Sequence, residues 1–198
     1  MQYLRPAIVM ILLFTALTGI AYPLALTGIG AVFFPWQASG EIISRDGKPV
    51  GSALIGQNFA SNRYFQPRPS ATSMPDPKDA SKTVDAPYNA ANSSGSNLGP
   101  TSKALVDRVK AAVEMRRQDG WTGPLPVDVV TTSASGLDPH ISPENALLQA
   151  PAVAKARGLD EAKVRDIVAA HVERPWLGIV GEPRVNVLSL NLALDKSS

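Results

Sequence analysis

The sequence predicts an α+β domain with a mixed or antiparallel sheet and about three helices, carried behind one N-terminal transmembrane helix. Three observations lead there. No Asp, Glu, Lys or Arg occurs between Arg5 and Glu41. Beyond Glu41, helical and strand periods interleave without a repeating strand–helix–strand rhythm, which disfavours a doubly wound sheet. Between them, residues 61–100 contain six prolines and no period of either kind.

Residues 6–36 read PAIVMILLFTALTGIAYPLALTGIGAVFFPW, with no charge anywhere. A bilayer core asks for about 20 apolar residues in a helix, so this run spans with length to spare. Pro23 predicts a kink, because it removes a backbone donor and its ring crowds the preceding turn. Tyr3 at one end and Phe33, Phe34 and Trp36 at the other suit the two interfaces. A cleavable signal would have an apolar region of about 7–15 residues before a small-residue cleavage site. Here bulky residues continue to Trp36, which favours a retained anchor over residues 1–40. Gly19, Ala21, Ala25 and Gly28, with Pro23 among them, predict a face that packs on another membrane helix. Arg5 precedes the span and no Lys or Arg follows until Arg45, so a cytoplasmic N-terminus and an outside domain over residues 41–198 are expected.

The domain opens with a hairpin around Arg45-Asp46-Gly47-Lys48, flanked by Ile42-Ile43 and Ala53-Leu54-Ile55. Residues 61–100 then read as an ordered, partner-facing loop, since Tyr64, Phe65 and Tyr88 are more than a linker needs. Ser102 caps a helix reaching about Asp119, with Leu105, Val109, Ala112 and Val113 on one face. Residues 127–132 predict a strand from their β-branched content. Ser142-Pro143-Glu144 starts a helix, broken near Pro151 and ended by Gly158. Asp160 caps a further helix to about Glu173, burying Val164, Ile167, Val168 and His171. Residues 184–194 predict a long strand with Leu188, Leu190, Leu192 and Leu194 on one side.

Composition excludes several chemistries. Beyond Arg5 there remain 18 Lys and Arg against 17 Asp and Glu, which gives no electrostatic case for nucleic acid. Without cysteine there is no disulfide, thiolate nucleophile or cysteine-ligated metal. A membrane-anchored hydrolase would use Ser93, Ser94 or Ser96 with His140 or His171, but SSGS is not a G-x-S-x-G elbow. Two histidines outside H-x-x-x-H spacing, and Asp76, Asp79 and Asp85 among prolines, make no standard zinc or calcium site. No phosphate-cradling glycine loop is present. A free-standing binding module is the other alternative from a different class.

An ordered set of strings then points to a family. They are TGIAYP (18–23), GSALIGQ (51–57), YFQPRPS (64–70), YNAANSSGSNLGP (88–100), PVDVVTTSASGLDPHISP (126–143), ARGL (156–159) and GEPRVNVLSLNL (181–192). Each alone is weak, but together they cover nearly the whole chain. The chain resembles the C subunit of Kdp-type potassium-transporting ATPases (KdpC). The resemblance implies a single-span, non-catalytic accessory subunit of a bacterial inner-membrane complex for high-affinity potassium import. It implies a channel-like subunit, a P-type ATP-hydrolysing subunit and a small single-span peptide subunit as partners. It implies no cofactor or metal of its own, ATP and potassium being handled by the complex. The family has been described as a chaperone that raises the ATP affinity of the hydrolytic subunit. With residues 41–198 outside, such an effect would run through the span or the channel-like subunit. Tyr64, Arg68, Tyr88, Asn97, Asp138 and His140 lie in the matching loops and are the expected partner-interface residues.

Overall fold

The computed structural model describes residues 2–175 and 177–197. Met1, part of the expected cytoplasmic tail, lies outside them. Contacts group the chain into two units, one up to Ser52 and one from Ala53 onward.

The first unit is mostly one apolar helical run. α1 (Leu4–Ala16) passes through a π-helical segment (Leu17–Ala21) into α2 (Tyr22–Phe33). The run Leu4–Phe33 is 30 residues long, and length and composition make it a candidate membrane span. The disturbance expected at Pro23 takes the form of the π segment: the Tyr22 N–H donates to the Leu17 carbonyl, five residues back rather than four. After Phe34 a short α3 (Pro35–Ala38) leads to a hairpin of β1 (Ile42–Arg45) and β2 (Lys48–Ser52). Asp46 and Gly47 turn it with φ of 52° and 73°, the doubly positive geometry that suits a two-residue hairpin. The second strand comes earlier than the expected 53–55. The tight turn fixes Lys48 opposite Arg45, and pairing ends at Ser52.

In the second unit, a small antiparallel sheet of β5 (His140–Ile141), β6 (Val172–Glu173) and β7 (Arg184–Asn186) has β7 in the centre. α6 (Pro143–Arg157), α7 (Glu161–Ala170) and α8 (Val187–Ser197) build the core with it. α6 begins as expected, the Ser142 hydroxyl accepting from the Asn145 N–H at 3.1 Å, and ends on Gly158 at φ 68°. It is not broken at Pro151. The missing N–H would have served the Leu147 carbonyl, and both residues lie on the exposed side, where water can take its place. Pro151→Ala restores that bond and is expected to stabilise the protein by about 1–3 kcal/mol in chemical unfolding. No gain would mean that the ring's own packing offsets the bond.

α7 buries Val164 and Val168, and the His171 ring is bonded to the Ile167 carbonyl at 2.8 Å. α4 (Lys103–Gln118) starts after Ser102, but the Ser102 side chain makes no capping bond, and the predicted apolar face is half-buried rather than buried.

Three expectations are corrected. Residues 127–132 are not a strand: α5 (Val127–Val130) is a single turn after Pro126. Its turn points Val129 and Val130 inward and gives the Asp128 carboxylate three donors, Ser142 N–H, Ser142 hydroxyl and Asn145 amide, at 2.8–3.0 Å. Residues 184–194 form a strand only to Asn186. There the Asn186 side chain accepts from the Ser189 N–H and starts α8, which buries Val187, Leu188, Leu190, Asn191 and Leu194, a helical spacing. Residues 61–100 are ordered, but they contain strands β3 (Ser73–Asp76) and β4 (Asp79–Asp85) in an exposed hairpin. Pro75 hid it, being tolerated because a two-stranded hairpin is all edge.

Phe65 sits fully buried in the middle of the core. Side-chain amides hold its backbone where no strand does. Asn191 accepts from the Phe65 N–H at 2.8 Å and donates to its carbonyl at 3.0 Å. Gln149 does the same for Gln66, at 2.7 Å and 3.0 Å.

Candidate functional site

The segments 66–72, 86–95 and 131–140 form one hydrogen-bonded platform. The Ser70 hydroxyl donates to the Gly136 carbonyl at 2.7 Å and accepts from the Tyr88 N–H at 3.1 Å. The Ser94 N–H donates to the Ser135 carbonyl at 3.0 Å, and the buried Thr72 hydroxyl to the Ala86 carbonyl at 2.6 Å. These irregular segments lie close because glycines let them. A Cβ on Gly95 would meet the Ala134 carbonyl oxygen at 2.6 Å, and one on Gly56 the Asp138 carbonyl oxygen at 2.7 Å.

On this platform four of the six expected interface residues come together. Arg68 Nη1 donates to the Asp138 carboxylate at 3.0 Å. The other Asp138 oxygen accepts from the His140 N–H at 3.0 Å and lies 3.4 Å from the ring Nδ1. The Tyr88 hydroxyl donates to the Arg68 carbonyl at 2.8 Å. Burial alone would push the Asp138 carboxyl up, but the bonds from His140 and Arg68 outweigh it and hold the group below the usual carboxylate range. Burial, helped by the nearby Asp138 charge, pushes the Tyr88 phenol well up, so it stays a donor.

Tyr64 and Asn97 are elsewhere. Tyr64 lies 5.6 Å from the Phe59 ring, with the Arg157 guanidinium 4.7 Å above it. Asn97 is exposed in the irregular stretch before α4, at φ 51°. Gly19, Ala21, Pro23, Ala25 and Gly28 all lie exposed on the apolar run. The serines weighed as nucleophiles are bonded within the platform or to α4: Ser93 donates to the Ser135 carbonyl, and Ser96 accepts from Arg108.

Arg68, Asp138 and His140 border an open groove of about 1140 Å³. Leu125, Pro126, Leu147 and Leu148 give its lining an apolar part. Its far rim carries Arg184, which bonds Glu173 at 2.9 Å, while Glu173 lies 3.9 Å from His140 Nε2. The His140 ring thus lies between the Asp138 and Glu173 carboxylates, with Arg68 and Arg184 at the two ends of the row. Glu173 and Arg184 were not foreseen, because 33 to 116 residues separate them in the chain from His140, Asp138 and Arg68; only the string GEPRVN carried a hint of Arg184.

Asp138→Asn removes the charge that Arg68 faces and is expected to cost about 1–3 kcal/mol at neutral pH. Because the folded carboxyl is held low, this contribution is present above the unfolded pKa and fades as pH falls through the folded one. Urea unfolding at stepped pH should show the two proteins converging below about pH 4. A constant gap down the whole range would assign the loss to packing instead.

A 30-residue apolar helix, a candidate membrane span, followed in the chain by a small α+β domain is consistent with a membrane-anchored protein. Comparison with known proteins is more specific. The family model described as "KdpC: K+-transporting ATPase, c chain" matches residues 4–196, and the chain belongs to that family. A protein of Methylobacterium nodulans named "Potassium-transporting ATPase KdpC subunit" is 62% identical over 196 residues, 99% of this chain and 98% of its own. One of Bradyrhizobium diazoefficiens with the same name is 60% identical over 198 residues, covering 100% and 98%. A third, from Rhodopseudomonas palustris, is 59% identical with the same coverage. A c chain is one chain among several, so partner subunits are implied.

Proposed function

We propose that this chain is the non-catalytic accessory subunit of an ATP-driven, high-affinity potassium importer in a bacterial inner membrane. The family match over 193 of its residues carries the reading. Residues 1–40 anchor it with the N-terminus in the cytoplasm, and residues 41–198 stand outside. The partners are a channel-like potassium-binding subunit, the P-type subunit that hydrolyses ATP, and a small single-span peptide. ATP and potassium are handled by those subunits. Any rise in ATP affinity passes through the span or the channel-like subunit, since coupling requires only that the chain prefer one of two states of its partners.

The row from Arg68 to Arg184 and its apolar groove are the surface offered to a partner outside the membrane. Paired charges on such a surface select register more than they add affinity. The test is a pull-down of tagged full chain from membranes of potassium-limited cells in mild detergent, with potassium-stimulated ATPase measured on the eluate. Co-elution of the hydrolytic subunit with activity is expected, and removing residues 2–40 should abolish both. A chain that elutes alone with its tag accessible overturns the reading.

A further inference from the structure

The groove beside Arg68 is left with a negative surplus once its internal pairs are set aside. Every arginine that lines it already has a carboxylate within the domain. Arg68 donates to Asp138 at 3.0 Å, Arg165 to Glu161 at 2.7 Å and Arg184 to Glu173 at 2.9 Å. The acids of the lining are not matched in return. Among the described residues, the side chains of Glu144 and Glu182 make no ion pair and no hydrogen bond, and both residues are exposed. Asp128 has three donors, but all of them are neutral.

Apolar surface lies open in the same lining. Val127 is 72% exposed and Leu147 36%, while Leu125 and Leu148 are half-buried. Glu144, Leu147 and Leu148 stand three and four residues apart on α6, so the unpaired carboxylate and the leucines share one face. At about 1140 Å³ the groove exceeds the range of roughly 300–1,000 Å³ usual for small-molecule sites. A piece of polypeptide suits that space better. The negative surplus also repels anionic lipid headgroups.

We propose that the groove takes an exposed segment of a partner subunit in which a lysine or arginine stands next to aliphatic or aromatic side chains. The cation faces Glu144 and Glu182, and its apolar neighbours cover Leu147 and Val127. This rests on the reading of the chain as one subunit of a complex, and it adds what the partner must carry. An acidic segment is refused, because the arginines are already engaged and two carboxylates would oppose it.

The test uses the tagged full chain co-expressed with its partner subunits. Glu144→Lys combined with Glu182→Lys reverses both charges at exposed sites, so near-UV circular dichroism should match wild type. Recovery of the partners should fall at least about 10-fold, because like charges facing each other across an interface oppose binding strongly. Glu114→Lys, on α4 and away from the groove lining, should leave recovery unchanged. Contact is read separately, with the native carboxylates in place. Because the chain has no cysteine, Leu147→Cys can carry a photo-crosslinker, and mass spectrometry of the adduct names what it touches. A partner peptide with lysine or arginine among apolar residues is expected. Undiminished recovery of the double variant overturns the proposal while wild-type association stands. So does an adduct with lipid, or with a peptide that has no basic residue. A wild-type chain that brings down no partner sinks the subunit reading, and the proposal with it.

Discussion

Asn191→Ala is expected to remove about 2–5 kcal/mol of stability, from the two buried backbone groups it leaves unpaired at about 1–3 kcal/mol each. Asn191 is 2% exposed, and both ends of its amide are used on Phe65, which is itself fully buried. Water cannot replace the lost partner there, so Phe65 N–H and carbonyl would stay unsatisfied or drag the ring out of the core. The loss is a large part of the 5–15 kcal/mol that holds an ordinary domain together, so the variant should unfold at markedly lower denaturant. Chemical unfolding of the full chain in detergent, followed by near-UV circular dichroism, measures it. Asn191→Asp keeps the acceptor and loses the donor, and should fall between. An Asn191→Ala midpoint equal to wild type would mean that residues 64–66 are held by Gln149 alone.

The second large effect is expected at Gly136. Its φ of 68° disfavours any side chain, and a Cβ would stand 2.5 Å from the Thr72 methyl and 2.6 Å from the Ser94 carbonyl oxygen. Neither neighbour can yield cheaply. Thr72 is 1% exposed, with its hydroxyl bonded to the Ala86 carbonyl and to the Asn89 N–H. Ser94 is tied to Ser135 through its N–H. Gly136→Ala should therefore cost about 2–4 kcal/mol, combining left-handed strain with overpacking. It should also separate the platform segments, so that Arg68 and Asp138 lose their bond. Gly99→Ala, where nothing lies within 4 Å, is the matched control and should cost little. Equal effects at the two positions would show that the close approach at Gly136 does not bear on stability.

The sequence was most informative where local chemistry decides. The apolar run, the Asp46-Gly47 turn, and the caps at Ser142, Asp160 and Gly158 need no distant partner to form. The errors lie where a distant partner overrides propensity. Val127-Asp128-Val129-Val130 has strand composition, but Asp128 is claimed by Ser142 and Asn145 and the chain turns instead. The leucines of 188–194 alternate like a strand, yet Asn186 and Asn191 give the helix away: one starts it and the other faces inward with the leucines.

At the site, the strings containing Arg68, Tyr88, Asp138 and His140 were legible, and so was the question of whether they serve scaffold or surface. The structure gives them both roles at once. Tyr88 and the serines are internal props, while the Arg68–Asp138–His140 row borders the groove. Glu173 and Arg184 could not be read, because only the pairing of β6 with β7 brings them beside His140.

The clamp between Phe65 and Asn191 spans 126 residues of chain. The side-chain clamp on the Phe65 backbone comes from α8, which contributes Leu190 and Leu194 to the same core. A growing polypeptide therefore keeps its central aromatic unfastened until α8 is made. A product broken off before Leu188 exposes that aromatic and the loops around it, which is what quality-control proteases recognise. A check that α8 has been made is thus written into where one asparagine stands.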